Sequence, residues 1–288
     1  MTRKNTDDTR LGRPRETLRQ RMIVIGGTIL VVIALAALIG PFFSPYPPNA
    51  LTPKFLKPPS GAHWFGTDSF GRDVFVRSLL GARMSLAIGL ATTILSSALG
   101  TVIGLAAGSF RGLDYLLMRL MDVIMAFPAL LLAMAVLAAM GRNVANILIA
   151  LGLVYTPRTA RIVHSSTLSV REEAYIEAAR ALGIPWWRIL FRHVLPNVFA
   201  PLVVQGTFVF AYGVLAEAGL SFIGVGIQPP TPSLGNILGD ARAIIREAPW
   251  MTFFPGGIIF ALVMAINLMG DGFRETLDPR LRRMFKGG

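Results

Sequence analysis

Glu177-Ala178-Ala179-Arg180-Ala181-Leu182-Gly183, followed by Arg192-His193-Val194-Leu195-Pro196-Asn197, is a polar stretch wedged between two uncharged apolar runs, and its reading organises the rest of the chain. Ser169, with Glu172 three positions on, predicts a capping box and a helix starting near Val170. Gly183 is placed to end that helix in a left-handed cap, and Pro185 to occupy the first turn of a second helix, where its missing amide costs little. The first helix spans about 13 residues on this reading, roughly 20 Å. It puts Tyr175, Ala178, Ala179 and Leu182 on one face, where the two alanines leave room for close packing and Glu177 sets a charge at the edge. Alanine is also the best helix former, so an ordinary interfacial helix would use the same residues.

The flanks decide the class. Hydrophobic residues make up 53% of the 288 and charged ones only 15%, a composition outside the range of soluble domains. Uncharged apolar runs extend over Met22 to Phe43, Met84 to Phe110, Val123 to Gly141, Asn143 to Pro157, Val194 to Ala216 and Ala248 to Gly270. A membrane helix needs about 20 such residues. The fourth run is short, but Arg158 and Arg161 can snorkel from its end. An all-α integral membrane protein with six transmembrane helices is the expectation.

A seventh uncharged run, Ala218 to Gly239, contains Gly219, Gly224, Gly226, Pro229, Pro230, Pro232 and Gly235, which would leave backbone groups unpaired in lipid unless protein or water covered them. Charge parity also opposes it. With six spans, 20 Lys and Arg fall on the side of residues 1–21, 109–122, 158–197 and 270–288, against 8 in 44–83, at Arg142 and in 217–249. The positive-inside bias makes both termini and the 158–197 loop cytoplasmic. A seventh span would export the basic tail Arg280-Leu281-Arg282-Arg283.

The formal charge of +12 is explained by basic helix ends that meet anionic lipid, so no nucleic acid is called for. Residues 1–21 read as a cytoplasmic tail, and the run to Phe43 is too long for a cleaved leader, whose apolar part is usually about 7 to 15 residues. The chain has no Cys, hence no disulfide, thiolate metal site or Cys nucleophile.

Catalytic chemistry is not legible. The six runs hold no Asp, Glu, Lys or Arg, unlike ion-coupled carriers. There is no Gly-Lys-Ser or Gly-Lys-Thr and so no phosphate loop. His63, His164 and His193 lie far apart, which argues against a metal site. Ser96, Gly100, Gly104 and Gly108 recur every four residues, a smooth stripe for close helix packing either within this chain or against a partner. In the outer segment 44–82, Asp68, Arg72, Asp73 and Arg77 stand at helical spacings. They suit either exposed ion pairs worth a few tenths of a kcal/mol or an external contact or gate formed by Asp68, Arg72 and Asp73.

Glu-Ala-Ala, with Gly183 four residues on and Leu195-Pro196 a dozen further, resembles the coupling loop of permease subunits in ATP-binding-cassette importers. Phe43-Ser44-Pro45-Tyr46, Phe65-Gly66-Thr67-Asp68-x-x-Gly71-Arg72-Asp73, Gly81-Ala82-Arg83-x-Ser85-Leu86, Glu217-Ala218-Gly219-Leu220-Ser221-Phe222-Ile223-Gly224 and Gln228-Pro229-Pro230-x-Pro232-Ser233-x-Gly235 are similar to segments of peptide and nickel permeases. Gly270-Asp271-x-x-Arg274-x-x-Leu277-Asp278-Pro279-Arg280 and His193 resemble the second of the two permeases in dipeptide and oligopeptide systems.

The resemblance implies a type I importer permease fold: a five-helix core over residues 83–270, an added first helix at 22–43 and a cytoplasmic tail at 271–288. It also implies a cell inner-membrane location and partners: a second, unlike permease, one or two ATPase subunits, and an external substrate-binding protein. No cofactor is expected in this chain, and ATP and Mg would sit on the ATPases. Coupling to them would fall to Glu177, Ala178, Ala179, Gly183, Leu195 and Pro196. Dipeptides, oligopeptides, glutathione and nickel all remain open as substrates. A secondary transporter or a membrane scaffold is the rival class.

Overall fold

The computed structural model describes residues 12–277, with side chains from Gln20 onward. Among them are ten α-helices: α1 Gly12–Phe43, α2 Val74–Ser109, α3 Arg111–Met125, α4 Ala129–Met140, α5 Val144–Arg171, α6 Ala174–Ala181, α7 Trp186–Ile189, α8 Leu195–Phe222, α9 Leu234–Ala241 and α10 Trp250–Leu277. A π-helical turn, Leu190–Val194, joins α7 to α8. The basic stretch 280–283 lies outside the described residues.

Four of the six expected spans are single helices long and apolar enough to cross a membrane: α1, α2, the continuous run from α7 through α8, and α10. The third is not one rod. α3 ends at Met125, and α4 leaves it at 93°, because Pro128 has no amide to continue the ladder and disfavours helical geometry at Phe127. The pair counts as a fifth candidate span only if its two bent halves are taken together. The fourth run also differs from expectation. Its helix continues through the buried Pro157 to Arg171, so Arg158 and Arg161 lie inside a helix of 28 residues, about 42 Å long. α5 is long enough to span, but its second half, with Arg158, Arg161 and Arg171, is far more polar than the other four.

α2 begins ten residues before its apolar run because Asp73 caps it, accepting a hydrogen bond from the Val76 amide at 3.0 Å. At its other end α2 lies along α5, and the small-residue stripe forms that seam. Ser96 is buried, and a Cβ on Gly100 would stand 2.6 Å from Thr159 Cβ, one on Gly104 2.5 Å from the Ala160 carbonyl, and one on Gly108 2.7 Å from Thr167 Cβ. Of the two settings open to the stripe, packing within this chain is the one the structure contains. α1 lies on α10 in a similar way, with Gly26 against the Ala265 carbonyl.

The seventh apolar run crosses nothing. α8 absorbs its first residues up to Phe222, the chain turns, and Ser233 starts the eight-residue α9 through a capping box with Asn236. α9 is laid against α8, with Gly235 and Gly239 facing the carbonyls of Ala218 and Phe222.

Candidate functional site

The polar stretch folds as a hairpin, though not from the expected start. Ser169 stays inside α5, no capping box forms with Glu172, and α6 begins at Ala174 after Glu173, which makes no side-chain cap. α6 is therefore 8 residues long instead of 13. The reason is that α5 outcompetes the cap: Val163 and Thr167 are buried against α2 and hold the helix through to Arg171.

The far end of α6 is a Schellman motif. Gly183 has φ +75°, its amide donates to the Arg180 carbonyl at 2.9 Å, and the Ile184 amide donates to the Ala179 carbonyl at 3.1 Å. Pro185 then serves as N-cap of α7 rather than inside its first turn. In the π-helical turn the Leu195 amide reaches back five residues to Leu190, and Pro196, which has no amide to give, follows at the start of α8.

The expected face divides. Ala179 turns inward with Ile176 and joins Ile189, Val194, Val198, Leu105 and Val163 in one buried cluster. Each large aliphatic member contributes on the order of 1.5–3 kcal/mol by leaving water. Tyr175, Ala178 and Leu182 face outward, Leu182 being 81% exposed, and Glu177 is exposed beside them. Leu195 is half-buried against the cluster, whereas Pro196 is exposed.

Polar ties hold the hairpin to the bundle. The Arg171 guanidinium donates to the Gly108 carbonyl at the end of α2. Arg171 and Arg180 lie over the Trp186 ring, at 5.3 and 4.9 Å from its centroid. Asn197 donates to the Tyr175 hydroxyl at 3.3 Å and to the His193 carbonyl at 2.7 Å. Glu177 lines a cavity of about 370 Å³ with Arg111, Asp114, Arg171, Glu172 and Arg180, so its edge carries charge of both signs.

At the opposite end of α2 the outer segment is not a solvated face. Asp68, Asp73 and Arg77 are buried. Arg72 Nε donates to Asp68 Oδ2 at 2.6 Å, and Arg77 Nη1 donates to Asn49 Oδ1 at 3.0 Å. Asp73 is joined to His63 Nδ1 at 2.8 Å while it caps α2. The expected Asp73–Arg77 surface pair does not form, because Asp73 is committed to the cap and to His63. Asp73, as the cap, and Asp68, 3.8 Å from Arg77 Nε, thus tie residues 44–73 to the helix, while Arg72 braces Asp68. Asp240 on α9 lies 3.8 Å from Arg72; burial raises its carboxyl above the ordinary range, and Arg72 opposes that rise.

One group escaped the reading of the runs, whose boundary stopped at Ala216. Glu217 is wholly buried in α8, accepting from Ser85 at 2.7 Å and Ser221 at 2.9 Å. The available signal was Ser221 four residues on, one helical turn away.

Comparison with known proteins follows the same outline. Residues 100–283 match the family described as "Binding-protein-dependent transport system inner membrane component", and residues 15–59 match "N-terminal TM domain of oligopeptide transport permease C". A putative peptide transport system permease protein of Brucella suis is 48% identical over 269 residues, covering 93% of this chain and 91% of its own. The dipeptide transport system permease protein DppC of Alkalihalophilus pseudofirmus is 40% identical over 270 residues, with 93% and 89% covered. The glutathione transport system permease protein GsiD of Pectobacterium atrosepticum is 40% identical over 271, with 93% and 90% covered. With the family match spanning most of a helical membrane bundle and the amino-terminal match preceding it, the chain belongs to the binding-protein-dependent permeases of ATP-binding-cassette importers, in their oligopeptide permease C branch.

Proposed function

We propose that this permease forms half of a translocation pathway for dipeptides or short oligopeptides and is driven through its cytoplasmic hairpin by separate ATPase subunits. The observation that carries the proposal is the divided hairpin. Its inner face is anchored into the α2–α5–α8 cluster, while Tyr175, Glu177, Ala178 and Leu182 are left outward, the arrangement a docked driver requires. The chain has no phosphate loop in its sequence, so ATP and Mg belong on the partners, which are one or two ATPases, a second, unlike permease and an external binding protein. Both termini and the hairpin are cytoplasmic on the charge asymmetry. Peptide is favoured as substrate because two of the three relatives described above carry that name; glutathione, itself a short peptide, is the second reading on the strength of the third.

The test is reconstitution. The permease alone should neither hydrolyse ATP nor accumulate peptide, and the complex with its ATPases, partner permease and binding protein should do both. ATP hydrolysis by the purified chain alone would overturn the division of labour, and a complete complex that ignores di- and tripeptides would overturn the substrate.

A further inference from the structure

Between the last turn of α1, the outer segment and the first turn of α2 lies a cavity of about 530 Å³. Four aromatic residues, Phe43, Tyr46, Trp64 and Phe75, stand in its wall together with Gly40 and Asp73. Trp64 packs on Phe75 with ring centroids 4.9 Å apart, and Tyr46 on the His63 ring at 4.4 Å. Asp73 is the only charged residue of the wall.

That charge is not neutralised within the protein. Arg72 and Arg77 are turned to Asp68, at 2.6 and 3.8 Å, and the one ionisable partner of Asp73 among the described residues is His63. The imidazole meets Asp73 through Nδ1 at 2.8 Å, while its Nε2 is buried with no partner among the described residues. A proton on Nε2 would be a buried, unsatisfied donor on a cation, so the ring donates from Nδ1 as a neutral group and Asp73 keeps its charge. The positive end of α2, which Asp73 caps, offsets about half of it. Aromatic walls with a residual negative charge are the combination that takes up an organic ammonium.

The level of the cavity in the membrane narrows the source. The apolar span of α1 ends at Phe43, so the cavity lies where hydrocarbon gives way to headgroups. Phe43 and Trp64 are 81 and 63% exposed there, and Trp and Tyr, both present in the wall, are the residues that settle at headgroup level. We propose that this cavity binds the headgroup ammonium of a zwitterionic phospholipid, of the ethanolamine or choline class, from the leaflet at that end of α1. The α-ammonium of a free peptide has the same chemistry, and the experiment separates the two sources.

The full-length permease is purified in detergent and exposed to mixed micelles holding equal amounts of phosphatidylethanolamine and phosphatidylglycerol with the same acyl chains. After washing in lipid-free detergent, the lipid that stays with the protein is measured by mass spectrometry. The native chain should retain the zwitterionic lipid over the anionic one by on the order of tenfold, the scale of one lost interaction with a charged group. The formal charge of +12 draws non-specific contacts toward the anionic lipid, so they cannot produce this preference. Asp73→Asn keeps a helix cap of similar quality while removing the charge, and should erase the preference with the unfolding midpoint held. Trp64→Leu, at an exposed position, should lower it, and Trp187→Leu, exposed on the hairpin, should leave it unchanged. Equal retention of the two lipids by the native chain overturns the site, as does a preference that survives both Asp73→Asn and Trp64→Leu. If Asp73→Asn does not fold, Trp64→Leu alone decides. Trialanine and N-acetyl-trialanine serve as competitors, and neither should release the lipid. Release by trialanine alone would overturn the lipid as occupant and assign the cavity to a free peptide amine.

Discussion

The Ser85 hydroxyl on α2 donates to the Glu217 carboxylate on α8 across 2.7 Å, with both side chains fully buried. Glu217 also accepts from Ser221, whose own oxygen accepts from the Ile227 amide at 3.1 Å. A carboxylate in such a place is tolerated only while its acceptors are occupied. Ser85→Ala should therefore lower stability by about 1–3 kcal/mol, the cost of an unpaired buried acceptor. Glu217→Ala should cost more, since it strips a partner from both serines at once. Thermal unfolding of the detergent-purified permease measures this, and an unchanged midpoint in both variants would contradict it.

The α2–α5 seam predicts a sharp contrast between two glycines. A Cβ on Gly104 meets the Ala160 carbonyl at 2.5 Å, which is backbone and cannot rotate away, whereas a Cβ on Gly112 meets nothing within 4 Å. Gly104→Ala should force the helices apart at about 1–3 kcal/mol. Gly112→Ala, in α3, should be neutral or stabilise by up to about 1 kcal/mol. Membrane expression and unfolding midpoints of the pair give the comparison; equal behaviour would mean that the seam is looser than described.

For the hairpin, the added side chain at Gly183 would find open space, so any penalty must come from its φ of +75°. Gly183→Val should cost about 1–3 kcal/mol of local strain and reduce ATPase co-purification, while Ala181→Val on the same helix should be milder. Glu177→Lys should weaken ATPase binding without lowering membrane levels, because the side chain is exposed and its charge is reversed at the proposed docking edge. Normal ATPase binding and normal uptake in both Gly183→Val and Glu177→Lys would reduce the hairpin to an interfacial helix.

The absence of Cys in the chain allows a direct topology measurement. Leu182→Cys and Leu51→Cys place thiols at exposed positions on the hairpin and on the outer segment. A membrane-impermeant maleimide applied to intact cells should label position 51 and spare 182; the reverse pattern would invert the orientation.

How far the sequence reached depended on whether a residue's role was local. Gly183 was readable because a left-handed cap is a property of one residue and its immediate neighbours. The stripe from Ser96 to Gly108 was readable as a packing surface for the same reason, although nothing in its spacing named α5 as its mate. The Ser169 cap failed because a tertiary seam beyond its window kept α5 helical. Asp73 was misassigned because its competitors, His63 and the Val76 amide, include one ten residues upstream. Glu217 was passed over because its partner Ser85 stands 132 residues away, a separation at which spacing carries no information. Arg158 was read as lying at a helix end because apolarity stops at Pro157, but the helix does not.

The glycine seam between α2 and α5 also bears on how force travels. The hairpin shares one buried cluster with Leu105 of α2 and Val163 of α5, and the seam beside it has no slack for sliding. A pull on the hairpin is therefore not dissipated where it is applied. It acts as torque on a stiff two-helix lever about 42 Å long, so that a tilt of only about 10° at the hairpin end displaces the far end by roughly 7 Å. On the proposed coupling, leverage of that kind would let a small closure between ATPases widen a mouth on the far side of a membrane.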